Sequence, residues 1–229
     1  MDDNAQEWTA VDAYLGELVL GRDLVLQQAL DDAAAGGLPQ IQVSPPQGRM
    51  LFLLANLARA RTILEVGTLG GYSTICLARA LPADGRLVTL EVDAHHAEVA
   101  RANLARAGLD AVVEIRLGRA LDSLREMEEE RRGSFDLVFI DADKQNSADY
   151  FRWGITLGHP GTLIIVDNAV RHGTIIDAQD SSPDVVGTRA VLELMGADPR
   201  VTATVIQTVG SKGYDGFALA VVNDQLSPS

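Results

Sequence analysis

The chain has 229 residues, 47% of them hydrophobic and 22% charged, and its 32 acidic against 19 basic side chains leave a net charge of −13. Such a chain can bury a sizeable core, which excludes a disordered protein, and its negative charge disfavours non-specific contact with nucleic acid. A single cysteine, Cys76, excludes an internal disulfide framework and a four-thiolate zinc site.

Residues 5–35 carry a helical pattern interrupted near Gly21, and Gly36-Gly37-Leu38-Pro39 stops it before an extended Ile41-Gln42-Val43. The acidic start, Met1-Asp2-Asp3-Asn4, has no signal-like apolar segment, and no apolar run approaches the roughly 20 residues of a membrane span. The expectation is a cytoplasmic protein that enters no membrane, with 1–40 as an N-terminal helical appendage, 41–222 as the core, and 1–229 as a single domain. Met50, Leu53, Leu54 and Leu57 recur at helical spacing before an apolar strand over 62–66.

The same alternation predicts helices over 72–81, 95–107, 120–130, 146–157 and 184–195, and strands over 86–92, 112–117, 135–140 and 162–166. Runs such as Leu137-Val138-Phe139-Ile140 and Leu163-Ile164-Ile165-Val166 suit a sheet covered on both faces. The fold class is α/β, a doubly wound Rossmann-like parallel sheet. Strands over 201–208 and 216–222, joined across a glycine-rich turn, add an antiparallel edge. The polar run 126–132 reads as a solvated helix end with Glu128 and Arg132 spaced to pair, and Cys76 as a core residue.

Glu65-Val66-Gly67-Thr68-Leu69-Gly70-Gly71-Tyr72-Ser73 is a glycine-rich strand-to-helix turn, where backbone can approach a ligand and a helix start offers free N–H groups. Its G-x-x-G-G spacing departs from the G-x-G-x-x-G of dinucleotide folds and argues against a dehydrogenase. About 20 residues on, Glu91-Val92-Asp93 ends the second strand, where an acid can accept hydrogen bonds from both hydroxyls of a ribose. Adenosine without a pyrophosphate fits. The plainer alternatives are a tight structural turn and, for Glu65, a buried carboxylate bonded to the backbone N–H groups of that turn.

The fourth and fifth strands run into Asp141-Ala142-Asp143-Lys144 and Asp167-Asn168, at the carboxyl edge where such sheets bind ligands. If those strands are neighbours, Asp141, Asp167 and Asn168 form an all-oxygen set suited to Mg²⁺, or to Mn²⁺ or Ca²⁺. Two adjacent hydroxyls of a substrate could fill open positions on such an ion. Helix capping is the alternative for each aspartate taken singly. A dication disfavours the charged form of a nearby ammonium, which would let Lys144 act as general base rather than as a surface charge.

At these residues the sequence closely resembles the metal-dependent class I S-adenosylmethionine O-methyltransferases of the catechol and caffeoyl-CoA type, bacterial members in particular. The matching stretches are Val43-Ser44-Pro45, Ile63 to Gly67 with Gly71 to Thr74, Glu91 to Asp93, Gly118 to Leu121, Asp141 to Lys144, Asp167-Asn168 and Asp215-Gly216. The resemblance implies Asp141, Asp167 and Asn168 as metal ligands and Lys144 as catalytic base. It also implies methyl-donor contacts at Val43, Glu65, Gly67, Thr68, Ser73, Glu91, Ala120, Asp141 and Asp143. A seven-stranded sheet with its last strand antiparallel, S-adenosylmethionine as cofactor, a catechol-like small-molecule acceptor and a homodimer complete what it implies.

The chain departs from plant relatives, which carry Trp and Asn at Arg171 and His172, and from mammalian catechol enzymes, which have an aromatic wall where Asp143 stands. The first departure sets CoA esters aside, and the second implies a wider aryl pocket. His172 reads as an exposed loop residue or a substrate contact, the structureless stretch 168–182 is long enough for a lid, and Trp8 and Tyr14 are expected to pack rather than line the pocket. Two rival functions are weaker. Methyltransferases for nucleic-acid bases have an Asn/Asp-Pro-Pro-aromatic run in place of Asp141 to Lys144, and a non-catalytic nucleotide sensor would have no use for Lys144 beside three ligands.

Overall fold

Strands that are apolar at every position need cover on both faces. The computed structural model, which describes residues 4–224, places them in one seven-stranded sheet. Its strands are β1 (Thr62–Val66), β2 (Arg86–Glu91), β3 (Val113–Leu117), β4 (Leu137–Ile140), β5 (Leu163–Asp167), β6 (Val201–Gly210) and β7 (Gly213–Val222). They lie in the order β3-β2-β1-β4-β5-β7-β6. The first five run parallel, and β7 runs antiparallel to both β5 and β6. The last strand is therefore inserted one place in from the edge, and β6 is the edge. Met1, Asp2 and Asp3 of the acidic start lie outside the described residues.

Side chains alternate between two cores, as the two-residue period of a strand requires. Leu64, Val88 and Val138 join α6 (Ala120–Glu129), α7 (Ser147–Thr156) and α8 (Pro183–Ala197) on one face. Ile63, Leu87 and Leu137 join α3 (Pro45–Leu57) and α4 (Tyr72–Ala78) on the other. Cys76 is buried there, as expected, and burial pushes its thiol up to about 12. Ala29 of α2 (Leu24–Ala35), Ile75 and Leu104 of α5 (Ala94–Arg106) form a smaller cluster.

The N-terminal appendage breaks where expected. α1 (Ala5–Leu15) passes into a π-helical turn over Gly16–Leu20, and Gly21, at φ 68°, ends it before α2. α3 begins five residues before Met50, because Ser44 and Gln47 form a reciprocal capping box and Pro45 occupies the first helical turn. The 126–132 run is the exposed end of α6, as expected, but the Glu128–Arg132 pair does not form. The chain turns at Arg131 (φ 54°), which carries Arg132 away from Glu128 and onto Glu114 of β3 at 2.6 Å, in a network with Arg116 and Glu130. Among the described residues no helix is long and apolar enough to cross a membrane.

At the edge remote from the glycine turn, Asp136 ties strand starts together. One oxygen accepts the N–H groups of Arg61 and Thr62, both at 2.8 Å, and the other faces His159 Nε2 at 3.0 Å. His159 Nδ1 faces the Pro160 carbonyl at 2.7 Å. Both partners are acceptors, so both nitrogens donate only in the imidazolium form. The Pro160 carbonyl first, then the Asp136 carboxylate, hold the imidazole above its usual 6.5 against the opposing effect of burial. A raised folded-state pKa contributes stability that is fully present below 6.5 and lost as pH rises through the folded value. Urea midpoints measured from pH 5.5 to 8.5 should therefore carry a falling component that His159→Gln removes; an identical pH profile in the variant would contradict the assignment.

Candidate active site

The carboxyl ends of β1, β2, β4 and β5 open onto one cavity of about 1040 Å³. Val43, Gly67, Thr68, Ser73, Glu91, Ala120, Asp141, Asp143, Lys144, Asp167 and Asn168 all line it. Glu65 lies behind the wall, fully buried. Its carboxylate accepts from the hydroxyls of Ser73 at 2.6 Å and Thr74 at 2.5 Å, rather than from the turn's backbone N–H groups. Burial pushes Glu65 up to about 7, opposed by those hydroxyl bonds. It reaches the cavity only by orienting Ser73.

Gly67 has a different task from the one its motif suggests. The strand order reverses between β1 and β4, and a Cβ on Gly67 would stand 2.3 Å from the Asp141 carbonyl oxygen. With φ at 101°, this glycine lets the two strand ends pass each other. Glu91 also has backbone partners: Oε2 accepts from Thr68 (3.2 Å) and Leu69 (2.8 Å), and Oε1 from Val92 and Asp93, both at 2.9 Å. Four N–H groups occupy the ordinary acceptor positions of a carboxylate, so in this structure Glu91 clamps the glycine turn onto the end of β2. Asp143 accepts from Tyr150 Oη at 2.6 Å and Asn146 Nδ2 at 2.5 Å.

β4 and β5 are neighbours, which brings Asp141, Asp167 and Asn168 to one corner. Asp167 is buried at the end of β5; burial first, and the adjacent Asp141 second, push its carboxyl up to about 7, while Lys144 opposes the shift. Lys144 Nζ donates to Asp141 Oδ1 at 2.8 Å, and the Asn168 N–H donates to Asp167 Oδ1 at 2.9 Å. Among the described residues no donor reaches Asp141 Oδ2, Asp167 Oδ2 or Asn168 Oδ1.

The set contains two carboxylates and an amide, so it forms no cluster of three His, Cys, Asp or Glu among the described residues. Its chemistry fits a hard dication, with one open oxygen from each residue. Two carboxylates and one ammonium also leave a net negative charge to attract it.

Asp215, matched within the family pattern but given no role by the sequence, orients this corner. Its Oδ1 accepts from Val170 N (3.0 Å), Arg171 N (2.9 Å) and Gly216 N (2.9 Å), and its Oδ2 from Asn168 Nδ2 (3.3 Å). An ionised carboxylate only accepts. It therefore dictates which way the Asn168 amide faces and leaves Oδ1 turned from it, on a residue already in the left-handed region (φ 59°).

The stretch after Asn168 is not structureless. A 3₁₀ segment spans Arg171–Ile176, and the Arg189 guanidinium of α8 donates to the carbonyls of Ile175 (2.9 Å), Asp180 (2.8 Å), Thr174 (3.2 Å) and Asp177. One arginine fastens the loop that length alone suggested as a lid. His172 is both exposed and part of the cavity lining, whereas neither Trp8 nor Tyr14 lines the cavity; Tyr14 is 63% exposed instead of packed. Asp12, one turn after Trp8 on α1, does line it.

A family model described as O-methyltransferase matches residues 21–221, and the chain belongs to this family. It is accordingly an O-methyltransferase. A Niastella koreensis protein named catechol O-methyltransferase is 49% identical over 219 residues, covering 96% of this chain and 99% of that one. A Mycobacterium tuberculosis protein of the same name is 51% identical over 212 residues, covering 93% and 94%. The crystal structure of an O-methyltransferase from Bacillus cereus in complex with SAH superposes with a TM-score of 0.94 at 53% identity, covering 96% of this chain and all of that one.

Lys144 is seated by a close helix approach: a Cβ on Gly187 of α8 would lie 2.1 Å from the Lys144 carbonyl oxygen. Gly187→Ala must move α8 or the Lys144 turn, at a cost of about 1–3 kcal/mol for overpacking. The expected result is a lower urea midpoint together with reduced methyl transfer; wild-type values for both would show that the contact relaxes freely.

Proposed function

We propose that this enzyme transfers the methyl group of S-adenosylmethionine to one hydroxyl of a vicinal dihydroxyaryl small molecule, with a divalent cation, Mg²⁺ or else Mn²⁺ or Ca²⁺, held by Asp141, Asp167 and Asn168. The observation that carries the reading is the corner of three oxygens without donors beside the Lys144 ammonium. The SAH complex of the Bacillus cereus relative supports S-adenosylmethionine as the methyl donor, and the names of the two curated relatives support the acceptor class. On this reading Val43, Gly67, Thr68, Ser73, Glu91, Ala120, Asp141 and Asp143 surround the donor, with Glu65 acting through Ser73. Ribose hydroxyls would have to share Glu91 with the N–H groups it now accepts.

A dication bound at the corner supplies a Lewis acid that lowers the pKa of a phenol. Beside such a dication the Lys144 ammonium is disfavoured and a neutral amine is left there, and that amine, buried under α8 beside Asp141, is the group that takes the phenolic proton. The oxygen–methyl bond then forms as the sulfur–methyl bond breaks, and the charges of phenolate and sulfonium cancel. No new charge needs strong stabilisation, so holding the reactants in line matters most, an effect worth up to about 7–11 kcal/mol. The Arg189-fastened loop supports that alignment by walling the acceptor end.

Residues 1–40 are read as an appendage of one methyltransferase domain, acting in the cytoplasm with neither nucleic acid nor membrane as partner; the buried free thiol of Cys76 is compatible with a reducing compartment. A homodimer is also proposed. Support comes from edge strand β6, which leaves Val205, Ile206 and Val209 exposed, a surface that pairing with a second copy would cover. Sedimentation velocity should give twice the chain mass, and a monomer at micromolar concentration would reject it.

Turnover of catechol should vanish with EDTA and return with Mg²⁺, and isolated phenols should not react. Lys144→Met should lower kcat by about 10²- to 10⁴-fold, the usual loss for a general base. Asp215→Ala should weaken Mn²⁺ binding, read by electron paramagnetic resonance in the absence of substrate, by about 10- to 100-fold. EDTA-resistant turnover would refute the metal, and wild-type Mn²⁺ affinity in the Asp215 variant would refute its orienting role.

A further inference from the structure

The turn between β6 and β7, Ser211 and Lys212, places Gly210, Lys212 and Gly213 on the wall of the cavity. It is held from the appendage on two sides. Asp12 of α1 accepts the Ser211 N–H at 2.7 Å, and Lys212 Nζ donates to the Gln40 carbonyl at 3.0 Å. Behind it, a Cβ on Gly213 would come within 3.2 Å of the His172 ring, which puts the loop against the segment that follows Asn168.

The other cations around this end have carboxylate partners. Lys144 pairs with Asp141 at 2.8 Å, and Arg171 with Asp184 at 3.1 Å. Lys212 forms no ion pair among the described residues; its one polar partner is a neutral carbonyl. Partial burial holds its ammonium below the usual lysine range, and Asp141, on the same cavity, is the acid that acts on it. Lys212 thus presents to the cavity an ammonium whose one direct polar partner is a neutral carbonyl.

We propose that Lys212 recognises an anionic substituent of the acceptor, so that the preferred substrates are vicinal dihydroxyaryl carboxylates with the diol at the Asp141, Asp167 and Asn168 corner and the carboxylate on the Lys212 ammonium. This rests on the function proposed above and narrows its substrate class. A carboxylate suits the site better than a phosphate. The loop offers one point charge, with neither the arginine fork nor the converging N–H groups that a phosphate dianion calls for. Lys212 is thus a specificity-determining residue, and its bond to Gln40 positions it in the free enzyme.

The test compares kcat/KM for two acid and amide pairs, 3,4-dihydroxybenzoate with 3,4-dihydroxybenzamide and caffeate with its amide, in wild type, Lys212→Gln and Lys212→Arg. Each pair keeps the ring and the diol constant, and the two differ in how far the carboxylate stands from them. In wild type at least one acid should exceed its amide by about tenfold, the scale of one charge-assisted contact. Lys212→Gln should bring that ratio close to one, and Lys212→Arg should keep most of it. If Lys212 only clamps the hairpin, Lys212→Gln will slow acid and amide equally and leave the ratio at its wild-type value, which overturns the proposal. A wild-type ratio at or below one for both pairs also overturns it while leaving the methyl transfer intact. Turnover of none of the four, nor of catechol, would overturn the underlying function as well.

Discussion

Two carboxylates brought together out of water repel each other, and the architecture around Asp141 and Asp167 exists in tension with that repulsion. Burial and the neighbouring charge both push Asp167 toward its neutral form, and Lys144 is the protein's own counterweight. Removing the repulsion by mutation would be simple chemistry. Retaining it, in a fold whose free energy is a small difference between large terms, marks the corner as a place where function outweighs stability. The same tension supports the proposed dication at this corner.

Holding those groups still is the work of residues around the corner. Asp215 sets the direction of the Asn168 amide, Glu65 holds Ser73, and Arg189 gathers four carbonyls of the loop after Asn168. Two glycines act by absence. Gly67 lets β1 pass β4, and Gly187 lets α8 lie on the Lys144 turn. In each case a part of the cavity wall is positioned by a neighbour.

The N-terminal appendage belongs to this support. Through Asp12 and the Gln40 carbonyl it holds the β6–β7 loop, and Asp12, Gln40 and Lys212 all line the cavity. Contacts between residues 12 and 211, or 40 and 212, carry no local signature. Nothing in the periodicity of either segment announces them.

The alternation of helix and strand, the two-faced burial of the sheet, the glycine turn and the acidic tips of β4 and β5 were all legible in sequence, because each depends on patterns within a few residues of chain. The apolar spacing of Met50, Leu53, Leu54 and Leu57 marked α3 but not its start, which the capping box of Ser44 and Gln47 fixes. Family membership follows from the same local motifs. Other matters were decided only in three dimensions: that Glu91 clamps backbone, that Gly67 serves a neighbouring strand, that Arg132 reaches β3 instead of Glu128, and that Asp215, Arg189 and Lys212 belong to the site. These depend on which atoms meet after strands from distant parts of the chain are laid side by side. Hydrogen-bond capacity and charge are properties of a residue, but whether they are taken up or left open is a property of its surroundings.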